Sequence, residues 1–222
     1  MDKIMKYAGI DNPDAVVVTG YSAGGWGASL LADDIFSDYF PNAASKTVLV
    51  DSSIGLYDDW KGVAQNVWQA PAHIVNRIKT NNLSYDSLVA LYEKHGDDVN
   101  ILFDCSTRDG DLAKVGRYFR DMVIDEETGE MPVENKDGDD FQAFLKDFVI
   151  ALKANTNAHF FIFDDYTWYD RPYNLTSHTA ISTPYVFVEL GNAGSSIAGW
   201  LMNTVNGNPR DYGLSLLDLK TE

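Results

Sequence analysis

Four short runs in this 222-residue chain are almost wholly apolar and rich in β-branched or aromatic residues. They are AVVVTG at 15–20, KTVLVD at 46–51, VNILFDCST at 99–107 and HFFIFDD at 159–165. Unbroken apolar runs of this length mark strands buried on both faces. Helical patterns separate them. GYSAGGWGASLLADDIF turns out of the first run into a helix, and VAQNVWQAPAHIVNRI and YDSLVALYEKH make 54–97 a helical excursion. DLAKVGRYFRDMV at 111–123 and FQAFLKDFVIALKAN at 141–155 follow the third run. Strands alternating with helices predict βαβ units and an α/β fold with a mostly parallel sheet flanked by helices. Ile4, Met5 and Ala8 recur at helical spacing before Gly9, and GSSIAGWLMNTVNG at 194–207 reads as a closing helix that stops at Gly207. The acidic, turn-rich stretch at 124–140 reads as an exposed loop or hairpin. No internal repeat divides the chain, so 1–222 is read as a single domain.

Charge narrows the function. The formal net charge is −16 and the isoelectric point about 4.4, a surface that repels phosphate backbones and anionic lipid. Nucleic acid and membrane partners are therefore not expected. No apolar run approaches the ~18 residues needed to span a bilayer, and no basic, apolar leader opens the chain. Cys105 is the single cysteine, so no intrachain disulfide can form.

The chemistry-bearing motif is Gly20-Tyr21-Ser22-Ala23-Gly24, a G-x-S-x-G sequence set between a buried strand and a helix. A serine on so tight a turn has its hydroxyl pushed out at the carboxyl end of the sheet. Side chains two residues before and after it would collide with backbone, which calls for glycine at 20 and 24. The turn also sets Ser22 at a helix N-terminus, where the dipole and free N–H groups favour negative charge, and the Ala23 N–H can donate to an oxyanion. A phosphate-binding loop would need the lysine of G-x-x-x-x-G-K-[ST], which this segment lacks.

A serine hydroxyl needs a neighbouring base to become a nucleophile. In the strand–elbow–helix hydrolases the chain order is Ser, then Asp or Glu, then His. His73 and His95 fall in predicted helices ahead of any suitable acid, and His159 begins a strand and reads as structural. His178 lies in the loop after the last strand, where an imidazole can swing over the serine. The acid should follow the third strand. Asp109 comes directly after it, Asp104 lies inside it as the second choice, and Asp111 reads as the N-cap of the next helix. The acid holds the histidine tautomer and stabilises the imidazolium.

With these pieces in order, the chain resembles the pectin acetylesterases and the related Notum-like carboxylesterases of the α/β-hydrolase class. TGYSAGGWGASLLADDI resembles their nucleophile segment, and VLVDSSIGLYDD the A-D-S-G-x-x-x-D segment after it. ILFDCSTRD, NLTSHTAI and the closing PYVFVELGNAGSSIAGWLMNTVNG resemble the acid strand, the histidine loop and the family's end. The resemblance implies hydrolysis of O-acyl esters on a small molecule or an acetylated polysaccharide, with Ser22, Asp109 and His178 as the triad and no metal or cofactor. It also implies an extracytoplasmic setting. The chain departs from the family in reading Gly110 where a glutamine usually follows the acid, and Thr179 where a cysteine often follows the histidine. Only 21 residues precede Ser22, whereas the family carries a longer N-terminal portion with a glycine-rich loop that supplies a second oxyanion donor. A sheet incomplete at its N-terminal edge, a fragment or an obligate homo-oligomer is therefore expected, and loss of one oxyanion donor would cost about 10²–10³ in kcat.

Two rival classes remain. An aromatic surface of Trp60, Trp68, Tyr166, Trp168, Tyr169 and Tyr173 would hold sugar by stacking without cleaving it. A structural remnant would self-associate through an unfinished sheet edge.

Overall fold

The computed structural model describes residues 10, 13–121, 124–164, 172–190 and 194–219. The expected helix over Ile4–Gly9 and the aromatic residues Tyr166, Trp168 and Tyr169 lie outside them.

The four apolar runs form one parallel sheet. Its strands are β1 (Ala15–Tyr21), β2 (Ser45–Asp51), β3 (Asn100–Ser106) and β4 (His159–Phe163), and their spatial order is their chain order. Helix α1 (Ala23–Asp34) connects β1 to β2, and α2 (Leu83–His95) precedes β3. Helices α3 (Gly110–Asp121) and α4 (Asn135–Asn155) lie between β3 and β4, and α5 (Ile197–Val205) follows β4.

Side chains alternate across each strand, so the sheet has two apolar faces. Val48, Val50, Ile101, Phe103, Cys105, Phe160 and Ile162 face a core with Phe36, Leu88, Leu145, Phe148 and Leu152 from the α1, α2 and α4 side. Leu49, Leu102, Phe161 and Phe163 face a smaller cluster with Ile197 and Trp200 of α5 and with Ala180 and Leu190. Three layers result: helices, sheet, then helix and loop. The Trp200 indole donates to Arg210 O at 2.7 Å, which satisfies its one polar group inside that cluster.

Four expectations need correction. The first strand is not buried on both faces. Val16 and Val18 pack on the larger core, but Val17 is 37% exposed, because α5 packs over β2 and β3 instead of β1. The 124–140 stretch is not all loop. α4 begins at Asn135, where Glu134 and Asp137 form a reciprocal capping box that gives the helix a defined start. The segment VAQNVWQAPAHIVNRI is not one helix. It breaks into short turns at Val63–Val67 and Ala72–Val75, because Pro71 has no N–H to continue a helix and its fixed φ restarts one. Trp60 is no sugar platform. It is 4% exposed, packs edge-on against Trp26 at 4.7 Å and donates its indole N–H to Gly55 O.

Three of the four histidines serve the scaffold. His95 and His73 bond Asp33 and Asp34 of α1 at 2.8 and 2.9 Å, and Arg77 bridges both aspartates. Burial works against the Asp33 charge, yet bonds from Lys94, His95 and Ser37 together with the Arg77 charge draw its carboxyl down to about 2. His159 lies 3.6 Å from Asp211, whose carboxylate also caps the Phe160 N–H and pairs with Lys153.

Candidate active site

The turn after β1 has the geometry that the G-x-S-x-G sequence demands. Ser22 sits at φ 51° and ψ −130°, a region that side chains avoid unless their surroundings impose it. Three main-chain ties impose it here. The Ser22 N–H donates to Asp51 O at 2.9 Å, and Gly25 N–H and Ser53 Oγ donate to Ser22 O at 2.9 and 2.5 Å. A Cβ at Gly20 would overlap the Gly24 carbonyl, so the first glycine of the motif is sterically required. The second is not. A Cβ at Gly24 would meet nothing within 4 Å, and the crowded position is Gly25, where a Cβ would overlap Ser53 Oγ. The expectation of a required glycine at 24 fails because the chain has already entered α1 there, and an α-helix turns its Cβ outward. Ala23 is the first residue of α1, so its N–H has no carbonyl within the helix to bond.

Asp109 and His178 come together at the other side. His178 Nδ1 lies 2.8 and 3.0 Å from the two carboxylate oxygens of Asp109. A carboxylate only accepts, so Nδ1 carries the hydrogen and the basic lone pair is on Nε2. Asp109 has no exposed surface, and its Oδ1 also accepts from the N–H groups of Asp111 and Leu112. Asp109 is therefore the N-cap of α3, the job expected of Asp111. The helix starts one residue earlier than expected, at Gly110, so its first free N–H groups fall within reach of Asp109.

The histidine loop is pinned to this same corner. Thr176 forms a parallel bridge to Asp109 and its Oγ1 bonds both Arg108 N and Ser106 Oγ, while Ser106 Oγ donates to Ser177 O. Further along, Thr179 N–H donates to Ser52 Oγ at 3.3 Å, and Ala180 and Ile181 N–H both donate to Asp51 Oδ2 at 2.8 Å. Ser52 and Thr179 both have positive φ, 49° and 63°. Three strained non-glycine residues, 22, 52 and 179, thus stand around one spot.

Electrostatics follow from these contacts. Burial pulls the His178 imidazolium down, but the Asp109 hydrogen bond and charge outweigh it and hold His178 above its ordinary 6.5. Complete burial lifts Asp109 above its ordinary 3.8 against the pull of His178 and the Leu112 N–H.

The structure therefore brings Asp109 to His178 and leaves Asp104 elsewhere, facing Asp51. Ser22 and His178 are both tied to residues 51–53, but among the described residues Ser22 Oγ makes no hydrogen bond. Hydrogen bonds of this kind are often long in unliganded sites and tighten with substrate. A cavity of about 400 Å³ lies nearby, lined by Ile54, Leu56, Leu112, Phe119 and Phe141 among others, but neither Ser22 nor His178 borders it. Sequence reasoning gave Asp51, Ser52 and Ser53 no role. Their signal was an aspartate ending a continuous apolar strand and followed by two serines. Among the described residues no group of three or more His, Cys, Asp or Glu could hold a metal ion, and no helix is long and apolar enough to cross a membrane.

Fold and site together define a mixed α/β protein with a four-stranded, all-parallel sheet flanked by helices. No family model matches the chain, and no curated protein and no solved structure matches it either.

Proposed function

We propose that this chain is a serine esterase of the α/β-hydrolase type that cleaves O-acyl esters, with Ser22 as nucleophile, His178 as base and Asp109 as acid. The observation that carries this reading is the buried Asp109–His178 pair, which leaves Nε2 free, on a loop anchored to the same 51–53 segment that fixes the strained Ser22 turn. In the first half-reaction His178 Nε2 takes the Ser22 proton as Oγ attacks the ester carbonyl. The Ala23 N–H and the N-terminal dipole of α1 receive the oxyanion. His178 then gives its proton to the leaving alcohol, and the acyl group stays on Ser22. Water, activated by the same nitrogen, releases the acid and restores the serine. Asp109 keeps the Nδ1–H tautomer throughout. The ordered motifs that resemble those of pectin acetylesterases support an O-acetyl group on a polysaccharide as the natural ester.

The test is hydrolysis of an aryl acetate and labelling by a serine-directed phosphonate. Wild type should be labelled once, at Ser22, and Ser22→Ala should lose labelling and about 10⁴-fold or more in turnover. Equal turnover by the two proteins would end the esterase reading.

A further inference from the structure

Two carboxyl groups lie beneath the His178 loop, and the triad uses neither. Asp51 ends β2 and Asp104 lies in β3, and the two are direct partners in the parallel register. Neither has any exposed surface. By strand alternation both project to the face of Leu49 and Leu102, against the cluster that holds Ala180.

Their hydrogen bonding is lopsided. Asp51 Oδ2 accepts two N–H groups, from Ala180 and Ile181, and the Asp51 carbonyl accepts the Ser22 N–H. Among the described residues no donor reaches Asp51 Oδ1 or either oxygen of Asp104. Yet each carboxyl is the other's direct neighbour across the parallel register. Two carboxylates side by side in a dry interior cannot both stay ionised. A single proton between them removes the repulsion and joins two orphaned oxygens in a charge-assisted bond. The proton belongs on Asp104, because Asp51 has the N–H donors that favour a negative charge.

We propose that Asp104 is a neutral acid that donates its proton to Asp51 Oδ1, and that Asp51 is a positioning residue whose ionised carboxylate holds residues 178–181 against the Ser22 turn. One residue then ties both halves of the site together, the serine through its carbonyl and the histidine loop through its carboxylate. The electrostatics agree. Burial and the Asp51 charge hold Asp104 well above the ordinary 3.8. Burial also raises Asp51, but the Ile181 N–H, the Ser52 hydroxyl, the Ala180 N–H and the His178 charge pull the other way. His178 is the titratable group that faces the pair from the loop, whereas the Cys105 thiol lies on the opposite face of the sheet and feels the carboxyls across it. Asp51 in turn adds to the field that lifts His178. The positioning half of the proposal rests on His178 being the base; the shared proton does not.

Infrared spectroscopy of the full chain with ¹³C-labelled aspartate tests the proton directly. At pH 7 the wild type should show a protonated aspartic acid band that is absent from Asp104→Asn. No such band, or one that survives this substitution, overturns the shared proton. For the positioning role, Asp104→Asn is compared with Asp51→Asn/Asp104→Asn. The amides keep a donor and acceptors in place, so the second change removes the charge alone. The His178 pKa, read by NMR, should fall by about half a unit or more, and the acid limb of kcat/KM should move to lower pH with it. An unmoved His178 would overturn the role of Asp51. Neither spectroscopic readout requires turnover, so either can fail while the esterase reading stands, and the reverse.

Discussion

Ser22 and His178 reach the same corner of the protein from regions held in different ways. Ser22 ends an edge strand whose residues alternate between exposed and half-buried, and its turn is held through main-chain atoms, by Asp51 O, Gly25 N and the Ser53 hydroxyl on its own carbonyl. His178 and Asp109 stand beyond the buried strands β3 and β4 and are held by side chains, with Asp109, Thr176 and Ser106 all fully buried and all bonded. The difference teaches where each half is vulnerable. The nucleophile turn tolerates changes that leave the backbone free to bend, and fails when a Cβ intrudes. The acid–base pair tolerates nothing that alters its buried polar atoms.

The largest effect that sharpens this contrast is Asp109→Asn. The amide can donate to Nδ1 and so favours the wrong tautomer, and kcat should fall about 10⁴-fold. The α3 cap should survive, because an asparagine caps as well as an aspartate. A fall of less than tenfold in kcat, measured with an aryl acetate, would break the assignment of the acid.

On the main-chain side, Gly20→Ala should destabilise the protein by about 3 kcal/mol or more, since the new methyl overlaps the Gly24 carbonyl. Gly24→Ala should instead gain about 0.5 kcal/mol, having open space and a helical position. Urea unfolding of the two variants reads both signs, and similar losses in both would mean that the turn is crowded at each glycine.

The smallest effect is in pH. The base works only when neutral, and His178 is held above 6.5, so kcat/KM should climb about tenfold per pH unit below that raised value and level off above it. Stability has the opposite sign. The protonated His178–Asp109 pair contributes fully below 6.5 and loses its contribution as pH rises through the folded-state value. The Tm difference between wild type and His178→Gln should therefore shrink as pH is raised. An acid limb centred below 6.5 would contradict the Asp109 contact.

Much of this architecture is legible in the sequence because strands covered on both faces need continuous apolar runs. KTVLVD, VNILFDCST and HFFIFDD each match a strand within two residues at either end. AVVVTG reads the same way, yet β1 is left uncovered on one face, because β-branched residues favour a strand without recording what packs on each of its faces. Ser22 is visible through its glycine-flanked setting, and Asp109 and His178 through chain order after the third and fourth strands. Asp51 and Asp104 were not read as a pair. The register that sets them side by side is a long-range property, and a lone aspartate at the end of a strand carries no mark of its neighbour. The start of α4 is hidden in the sequence because Glu134 and Asp137 sit in an acidic stretch where a capping box looks like solvated charge.

Cys105 turns the sheet into its own reporter. The thiol is fully buried in β3, four residues before Asp109, and burial, with the Asp109 and Asp51 charges, pushes its pKa well above 9.0. An alkylating reagent meets it only when the middle of the sheet parts. The alkylation rate in native buffer is therefore a clock for the opening of the strand that leads to Asp109, readable by mass without any added dye or label.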